Sequence, residues 1–206
     1  SPGTMSPAHP FIADQKARYR KWYDDYPGTG YTMAMPVCYT WEPIFDWYDF
    51  KNTDYRWFYN MLLVASNAGK STPAEIPIVP FISYDPEGTK KDPGKMSTAC
   101  FKELLWHMLL RGTDTFFVWA GPEAVAVTQQ VYDDALEYRE FLDKGMPVNF
   151  DVPSSPGTVI SGLSLGNRVL IRRTDFGDSK EPVEITIGVA KVKVPYMKEK
   201  CLILDI

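Results

Sequence analysis

The stretch Ile76–Glu87 reads Ile-Pro-Ile-Val-Pro-Phe-Ile-Ser-Tyr-Asp-Pro-Glu, and it decides the fold. It begins as a continuous apolar run, which is typical of a strand buried on both faces in a parallel sheet covered by helices. The run ends in Ser83, Tyr84 and Asp85. Open α/β sheets and α/β barrels bind their ligands at the carboxyl ends of their strands, so these three residues are candidates for a site.

Two similar stretches flank this one. Tyr31–Glu42 comes before it and Thr115–Gly121 after it, and aromatic or acidic residues lie at the ends of all three. Segments with helical spacing of apolar residues separate the strands, and we predict helices over 11–26, 53–69, 97–111 and 122–144. This alternation predicts right-handed crossovers and a parallel sheet. Three strands are too few to close a barrel, so the sheet is either small and open or the last part of a larger barrel.

The character of the sequence changes after Gly145. Residues 152–157 have the composition of a linker, Val-Pro-Ser-Ser-Pro-Gly. Short runs rich in β-branched residues follow, separated by turn residues, and they predict five strands over 158–165, 168–174, 183–187, 191–194 and 201–206. We therefore divide the chain into an α/β domain, 1–150, and a small antiparallel β domain, 151–206. A sheet that thin needs support, so we expect it to pack on the α/β part.

Composition and charge limit the classes of function. Of the 206 residues 45% are apolar and 23% are charged, which is normal for a soluble globular protein. The net charge is −4 and no block of basic residues is present, which argues against nucleic-acid binding. No apolar run reaches the roughly 18 residues that a membrane-spanning helix needs, so we expect no membrane insertion.

The sequence also argues against a cofactor or a metal site. It has only two histidines, and its three cysteines lie far apart in apolar surroundings, which is typical of buried free thiols. No glycine-rich phosphate loop follows a predicted strand, and no Gly-x-Ser-x-Gly motif is present. Aromatic residues reach 14%, which suits either a sugar-stacking or protein-binding surface or an aromatic core.

Three segments together resemble the C-terminal part of glycoside hydrolases built as a (β/α) barrel followed by a small β-sandwich. Glu103–Gly121 is similar to a last barrel helix and strand ending in a Trp that lines the sugar site. Val159–Arg173, with Leu202–Ile206 later, is similar to the appended sandwich. The resemblance implies a partial barrel of the TIM type, with Met33–Glu42 as its sixth strand and Ile76–Asp85 as its seventh. It implies an extracellular or cell-surface location as well.

Glycoside hydrolysis needs two carboxyl groups, one protonated as general acid and one ionised as nucleophile or base. Asp85 and Glu42 are the candidates, because each follows an apolar strand closely, where burial can tune its pKa. The other interpretations are that Asp85 starts a turn and that Glu42 is a solvated loop charge. Asp46 could bind sugar hydroxyls, although a capping or surface role is the simpler interpretation.

Four aromatic residues fall at predicted strand ends and could stack on the apolar face of a sugar ring: Tyr39, Trp41, Tyr84 and Trp119. They could equally close the top of the sheet as core residues.

The leading hypothesis is a carbohydrate-active protein that hydrolyses a poly- or oligosaccharide through paired carboxylates. Its active form would include the missing barrel strands, supplied by another chain or by an N-terminal barrel segment. The alternative is a non-catalytic module on an incomplete barrel that binds glycan or protein.

Overall fold

The protein has a mixed α/β fold, seen in a computed structural model that describes residues 30, 32–39, 51–84, 96–153 and 155–206. The predicted helix over 11–26 lies outside these residues. The helices are α1 (Thr53–Ser71), α2 (Thr98–Leu109), α3 (Pro122–Ala135) and α4 (Arg139–Lys144), with a 3-10 turn at Leu136–Tyr138 between the last two. The strands are β1 (Val37–Tyr39), β2 (Phe81–Ser83), β3 (Phe117–Val118), β4 (Met146–Pro147), β5 (Thr158–Leu165), β6 (Arg168–Asp175), β7 (Val183–Ile187), β8 (Ala190–Val194) and β9 (Cys201–Asp205).

The first three strands form the predicted parallel sheet, in the order β1-β2-β3. Val37, Phe81 and Phe117 stand side by side in its register. The strands are shorter than the sequence predicts, although an additional bridge joins Ala34 to Ile78.

Helices cover one face of this sheet. Cys38 and Ile82 point to that face, are fully buried, and join one hydrophobic core with residues of α1 and α2. The other face is apolar but partly exposed: the exposed fractions are 40% for Met33, 43% for Met35, 54% for Phe117 and 58% for Trp119. Strand β2 itself has no exposed residue, whereas the segments on either side of it leave this face partly exposed. We call the surface formed by Met33, Met35, Phe81, Phe117 and Trp119 the open face.

Helix α1 begins where the sequence predicts but ends later. Its cap is Asn52, whose side chain accepts a hydrogen bond from the Tyr55 amide at 3.0 Å. Gly69 does not end the helix, which continues to Ser71. A Cβ on Gly69 would lie 2.1 Å from the Arg111 carbonyl oxygen, so this glycine lets two segments approach closely.

The later helices follow their sequence signals. The side chain of Ser97 caps α2 by accepting the Cys100 amide at 3.1 Å, and Gly112, with φ of 93°, provides the turn after it. Pro122 stands in the first turn of α3, as predicted. The 3-10 turn interrupts what the sequence predicts as one helix to about residue 144.

The predicted strands of the C-terminal part are all present, and each of their ends lies within one residue of the predicted position. They form a four-stranded sheet, β4-β5-β6-β9, and a separate two-stranded ribbon, β7-β8, with antiparallel pairing throughout. The ribbon packs on one face of the four-stranded sheet, where Ile160, Val169, Ile171 and Val194 form an apolar cluster. The small sandwich expected from the sequence is thus built from this sheet and ribbon.

The other face of the four-stranded sheet packs on the α/β part. Val159, Leu163 and Leu170 belong to the same core as Leu104 and Leu105 of α2. The expectation that this sheet packs on the α/β part is confirmed. Strand β4 pairs with β5 although it precedes residue 151, so the β part takes in residues on both sides of that boundary.

Within the part of the chain that the structure describes, no helix is both long and apolar enough to cross a membrane.

Candidate functional site

The carboxyl ends of β1, β2 and β3 lie at one edge of the parallel sheet. Tyr39 pairs with Ser83 there, and the Trp119 amide donates to the Ile82 carbonyl oxygen at 2.9 Å just beyond the end of β3. Three of the predicted strand ends therefore meet, which brings the backbones of Tyr39 and Trp119 to the same edge as Tyr84. Asp85, Glu42, Trp41 and Asp46 lie outside the described residues, and their predicted roles stay predictions.

Trp119 is on the open face and the residue is more than half exposed. It stacks on Phe81, with ring centroids 5.9 Å apart and an angle of 12° between the planes. Phe117 meets the same Phe81 ring edge-on at 4.9 Å. Phe81 thus holds two exposed aromatic rings in place, and a rigid exposed indole is the kind of surface on which a sugar ring stacks.

Tyr84 is at the same edge but points the opposite way, among the helices. Its side chain is 2% exposed, and its ring stacks on Phe101 with centroids 4.1 Å apart. Its hydroxyl donates to the Met96 carbonyl oxygen at 2.9 Å and lies 3.3 Å from the Thr98 hydroxyl. A ring with no open face cannot stack on a sugar in this arrangement, so the structure gives Tyr84 a packing role.

Two carboxylates outside the set of sequence candidates lie near Tyr84. Both oxygens of Asp54 accept hydrogen bonds from Ser97, one from the amide at 2.6 Å and one from the hydroxyl at 2.7 Å. Glu123, in the first turn of α3, accepts from the Thr98 hydroxyl at 3.4 Å. Burial, followed by the charges of Glu123 and Asp54, raises the pKa of Tyr84. These two carboxylates could have been found from the sequence, because each lies in the first turn of a helix. A helix that follows a parallel strand begins at the carboxyl edge of the sheet.

A second group of polar side chains is buried between α2 and the four-stranded sheet. Glu103, His107 and Arg111 follow one another at intervals of four residues along and just beyond α2. Ser161 on β5 lies 2.7 Å from both His107 Nδ1 and Arg111 Nε. Thr174 on β6 lies 3.0 Å from His107 Nε2 and donates to Glu103 Oε2 at 2.7 Å.

Glu103 also binds Arg172 of β6 through both of its oxygens; the Arg172 Nε–Glu103 Oε2 distance is 2.9 Å. We call Glu103, His107, Arg111, Ser161, Arg172 and Thr174 the polar chain. A Ser–His–Thr arrangement of this kind could suggest a nucleophile, but Ser161 and His107 are fully buried and no substrate could reach them. The sequence signals were the polar residues at helical spacing in an apolar helix, and two arginines in the middle of an apolar strand.

Burial sets the charge states in the polar chain. It lowers the pKa of His107 well below the ordinary histidine value, and the positive charges of Arg111 and Arg172 lower it further. Burial also lowers the pKa of Arg111 to about 9, which keeps the side chain protonated at neutral pH. For Arg172 burial acts in the same direction, but the hydrogen bond and charge of Glu103 outweigh it and raise the pKa.

Within the described ranges no group of three or more His, Cys, Asp or Glu side chains could hold a metal ion. Comparison of the chain with protein-family models, with curated proteins and with solved structures finds no match.

Proposed function

We propose that the α/β part of this chain is the late portion of a (β/α) barrel of the TIM type. Support comes from the winding of the parallel sheet. A doubly wound sheet reverses its strand order and carries helices on both faces, whereas strands that follow one another in sequence order place all their helices on one face. Here the order is β1-β2-β3, and the residues buried under α1 and α2 come from a single face.

The open face would then be part of the inner wall of that barrel. An inner wall is built from apolar side chains that fill the barrel interior in layers. Met33, Met35 and Phe117 are large and apolar, and each is 40% exposed or more, so further strands would bury them. We propose that these strands come from another polypeptide or from a barrel segment outside these 206 residues.

On this barrel we propose a carbohydrate-active function, the hydrolysis of a glycosidic bond in a poly- or oligosaccharide. The observation that carries the proposal is the exposed Trp119 ring, braced by Phe81, at the carboxyl edge of the parallel sheet. Asp85 and Glu42 would supply the two carboxyl groups, since each follows a strand that ends at this edge. Tyr39, Trp41 and Asp46 would contribute further sugar contacts.

A non-catalytic role is the second candidate, and the open face favours it. A contiguous apolar surface of this kind is also typical of a protein-binding site. In that case Trp119 would bind a partner protein or a glycan without any reaction.

The deciding experiment is an activity assay against a panel of polysaccharides. It uses the natural protein that contains the complete barrel, purified without truncation. Asp85→Asn and Glu42→Gln are assayed beside the unchanged protein. We expect turnover of at least one glycan, and loss of turnover with retained binding in both variants. Full turnover in both variants would remove these two carboxylates from the chemistry. Glycan binding with no turnover in the unchanged protein would favour the non-catalytic role.

A further inference from the structure

The contact between α2 and the four-stranded sheet depends on a hydrogen-bond chain whose direction is fixed at both ends. Arginine only donates hydrogen bonds and an ionised carboxylate only accepts them. Arg111 therefore donates to Ser161 at one end, and Thr174 donates its single hydroxyl hydrogen to Glu103 at the other. Every hydrogen bond between these two ends must therefore be donated in the same sense, from the Arg111 end toward Glu103.

The direction determines the tautomer of His107. Because the Thr174 hydrogen is committed to Glu103, the Thr174 oxygen accepts from His107 Nε2, 3.0 Å away. His107 Nδ1 then has no hydrogen and accepts the hydroxyl hydrogen of Ser161 at 2.7 Å. The imidazole is thus neutral with its hydrogen on Nε2, and it relays hydrogen bonds between β5 and β6 from its position on α2.

The surroundings of His107 oppose a positive charge. The ring is fully buried and meets the edge of Phe58 from α1, with centroids 5.3 Å apart. Arg111 and Arg172 are the nearby cations. Glu103 lies one turn earlier on the same helix, but both of its carboxylate oxygens accept from Arg172 and one of them also accepts from Thr174. The charge of Asp151 favours the protonated form of Arg111, and Arg111 donates to the Asp151 backbone carbonyl oxygen at 2.9 Å.

A proton added to His107 would go to Nδ1, the only ring nitrogen without one. It would then face the Ser161 hydroxyl, whose hydrogen would lose its acceptor, while Arg111 continues to donate to the same oxygen. The Nδ1–Ser161 hydrogen bond would reverse its direction, the buried Ser161 hydroxyl hydrogen would be left without this acceptor, and one more positive charge would be added beside two arginines. Strand β5, which carries Ser161, would then be the first to separate from α2.

We propose that the polar chain is an acid-released latch, in which uptake of one solvent proton by His107 loosens the packing of the four-stranded sheet on α2. In the unfolded chain His107 takes up a proton near pH 6.5, and in the folded chain only at lower pH. The native state therefore binds fewer protons between these two values. The stabilisation is fully present above about pH 6.5 and is lost as the pH falls toward the lower value. This inference does not depend on a carbohydrate-related function.

The test combines two measurements on the intact protein across this acid range. Nuclear magnetic resonance of the imidazole nitrogens gives the tautomer and the titration of His107. Hydrogen exchange, corrected for the intrinsic pH dependence of the exchange rate, gives the opening of each element. We expect the Nε2–H tautomer at neutral pH, and an increase of about tenfold per pH unit in the opening of β5 and β6 below about pH 6.5. The β7-β8 ribbon, which lies on the other face of the sheet, should respond less at the onset.

Two variants separate the latch from general acid sensitivity. His9→Asn removes the only other histidine and should leave the exchange profile unchanged. Thr174→Val removes both the acceptor of His107 Nε2 and the donor to Glu103. Because each buried hydrogen bond contributes about 1 kcal/mol, it should raise the opening of β5 and β6 by at least about tenfold already at neutral pH. An ordinary titration of His107 near pH 6.5, or opening of β5 and β6 that does not follow its titration, would overturn the proposal. The measurements on the unchanged protein decide this even if Thr174→Val fails to fold.

Discussion

Glu103 and Arg172 form a two-point ion pair that joins α2 to β6, and their side chains are only 10% and 2% exposed. The Trp106 ring lies against the guanidinium group, with Arg172 Cζ 4.7 Å from the ring centroid. A buried ion pair is held in place by the penalty of breaking it, because removing one partner leaves the other charged and desolvated. The contact between the α/β part and the sheet is therefore sensitive to substitution of either residue of this pair.

Arg172→Met should destabilise the protein by about 3–5 kcal/mol, since it leaves the Glu103 carboxylate buried without its partner. The free energy of unfolding from denaturant titration is the measurement. The control is Arg139→Met, which removes the pair between Arg139 and Asp143, whose side chains are 76% and 55% exposed. Its expected effect is at most about 0.5 kcal/mol, because exposed pairs are screened by solvent. Equal losses in the free energy of unfolding for the two variants would contradict the stabilising role of the buried Glu103–Arg172 pair.

Gly162→Ala should be destabilising for a steric reason. A Cβ at this position would lie 2.5 Å from the Leu170 carbonyl oxygen and 2.7 Å from Ile171 Cδ1, on the neighbouring strand β6. Backbone atoms there cannot move without disturbing the sheet, so we expect a loss of about 1–3 kcal/mol, measured by thermal or denaturant unfolding. Gly177→Ala is the control, because its Cβ would meet only one atom, 4.0 Å away, and its effect should stay within about 0.5 kcal/mol.

The strands of the β part could be predicted closely because the runs are rich in β-branched residues and are separated by turn residues. Gly166 and Gly188, with φ of 62° and 61°, stand where those turns require a left-handed backbone. The end of α1 could not be predicted. Gly69 is typical of a helix end, yet here it is required by the close approach of Arg111, which is 42 residues away in sequence. Local signals carry no information on such approaches.

In the candidate site, too, local features could be predicted from the sequence and features set by long-range packing could not. The sequence indicates that Tyr84 and Trp119 end neighbouring strands, and the structure confirms that they share an edge. It does not indicate which face of the sheet the helices cover, and this decides that Tyr84 is buried while Trp119 is exposed. The helical spacing of Glu103 and His107 was visible as well. Their partners on β5 and β6 were not, because they depend on how the two parts pack.

Tyr84→Phe tests the packing role of this residue. It removes the hydroxyl that donates to the Met96 carbonyl oxygen, and we expect a loss of about 1 kcal/mol in the free energy of unfolding. Tyr84→Ala should lose about 3–5 kcal/mol, since it also leaves a cavity beside Phe101. Unchanged stability in both variants would mean that Tyr84 is not a core residue and would return it to the sugar-binding candidates.

The three cysteines should react slowly in the native protein. Cys38, Cys100 and Cys201 are all buried with free thiols. Burial raises the pKa of each, that of Cys201 to about 11, so little reactive thiolate forms at neutral pH. A colorimetric thiol reagent should therefore label the native protein far more slowly than the protein unfolded in denaturant. Rapid labelling of one cysteine without denaturant would contradict the burial described for that residue.

Trp119→Ala should separate binding from stability. Trp119 is 58% exposed, so removal of its ring should change the free energy of unfolding much less than removal of a core ring, which costs about 3–5 kcal/mol. If Trp119 stacks on a sugar, its loss should weaken binding by about 0.5–1.5 kcal/mol beyond the buried area, roughly a tenfold rise in Kd. Calorimetry with an oligosaccharide series measures Kd, and Tyr132→Ala on α3, another partly exposed aromatic residue, is the control. Equal weakening by both substitutions would exclude a specific sugar contact at Trp119. Loss of a protein partner with no glycan bound by the unchanged protein would favour the non-catalytic role of the open face.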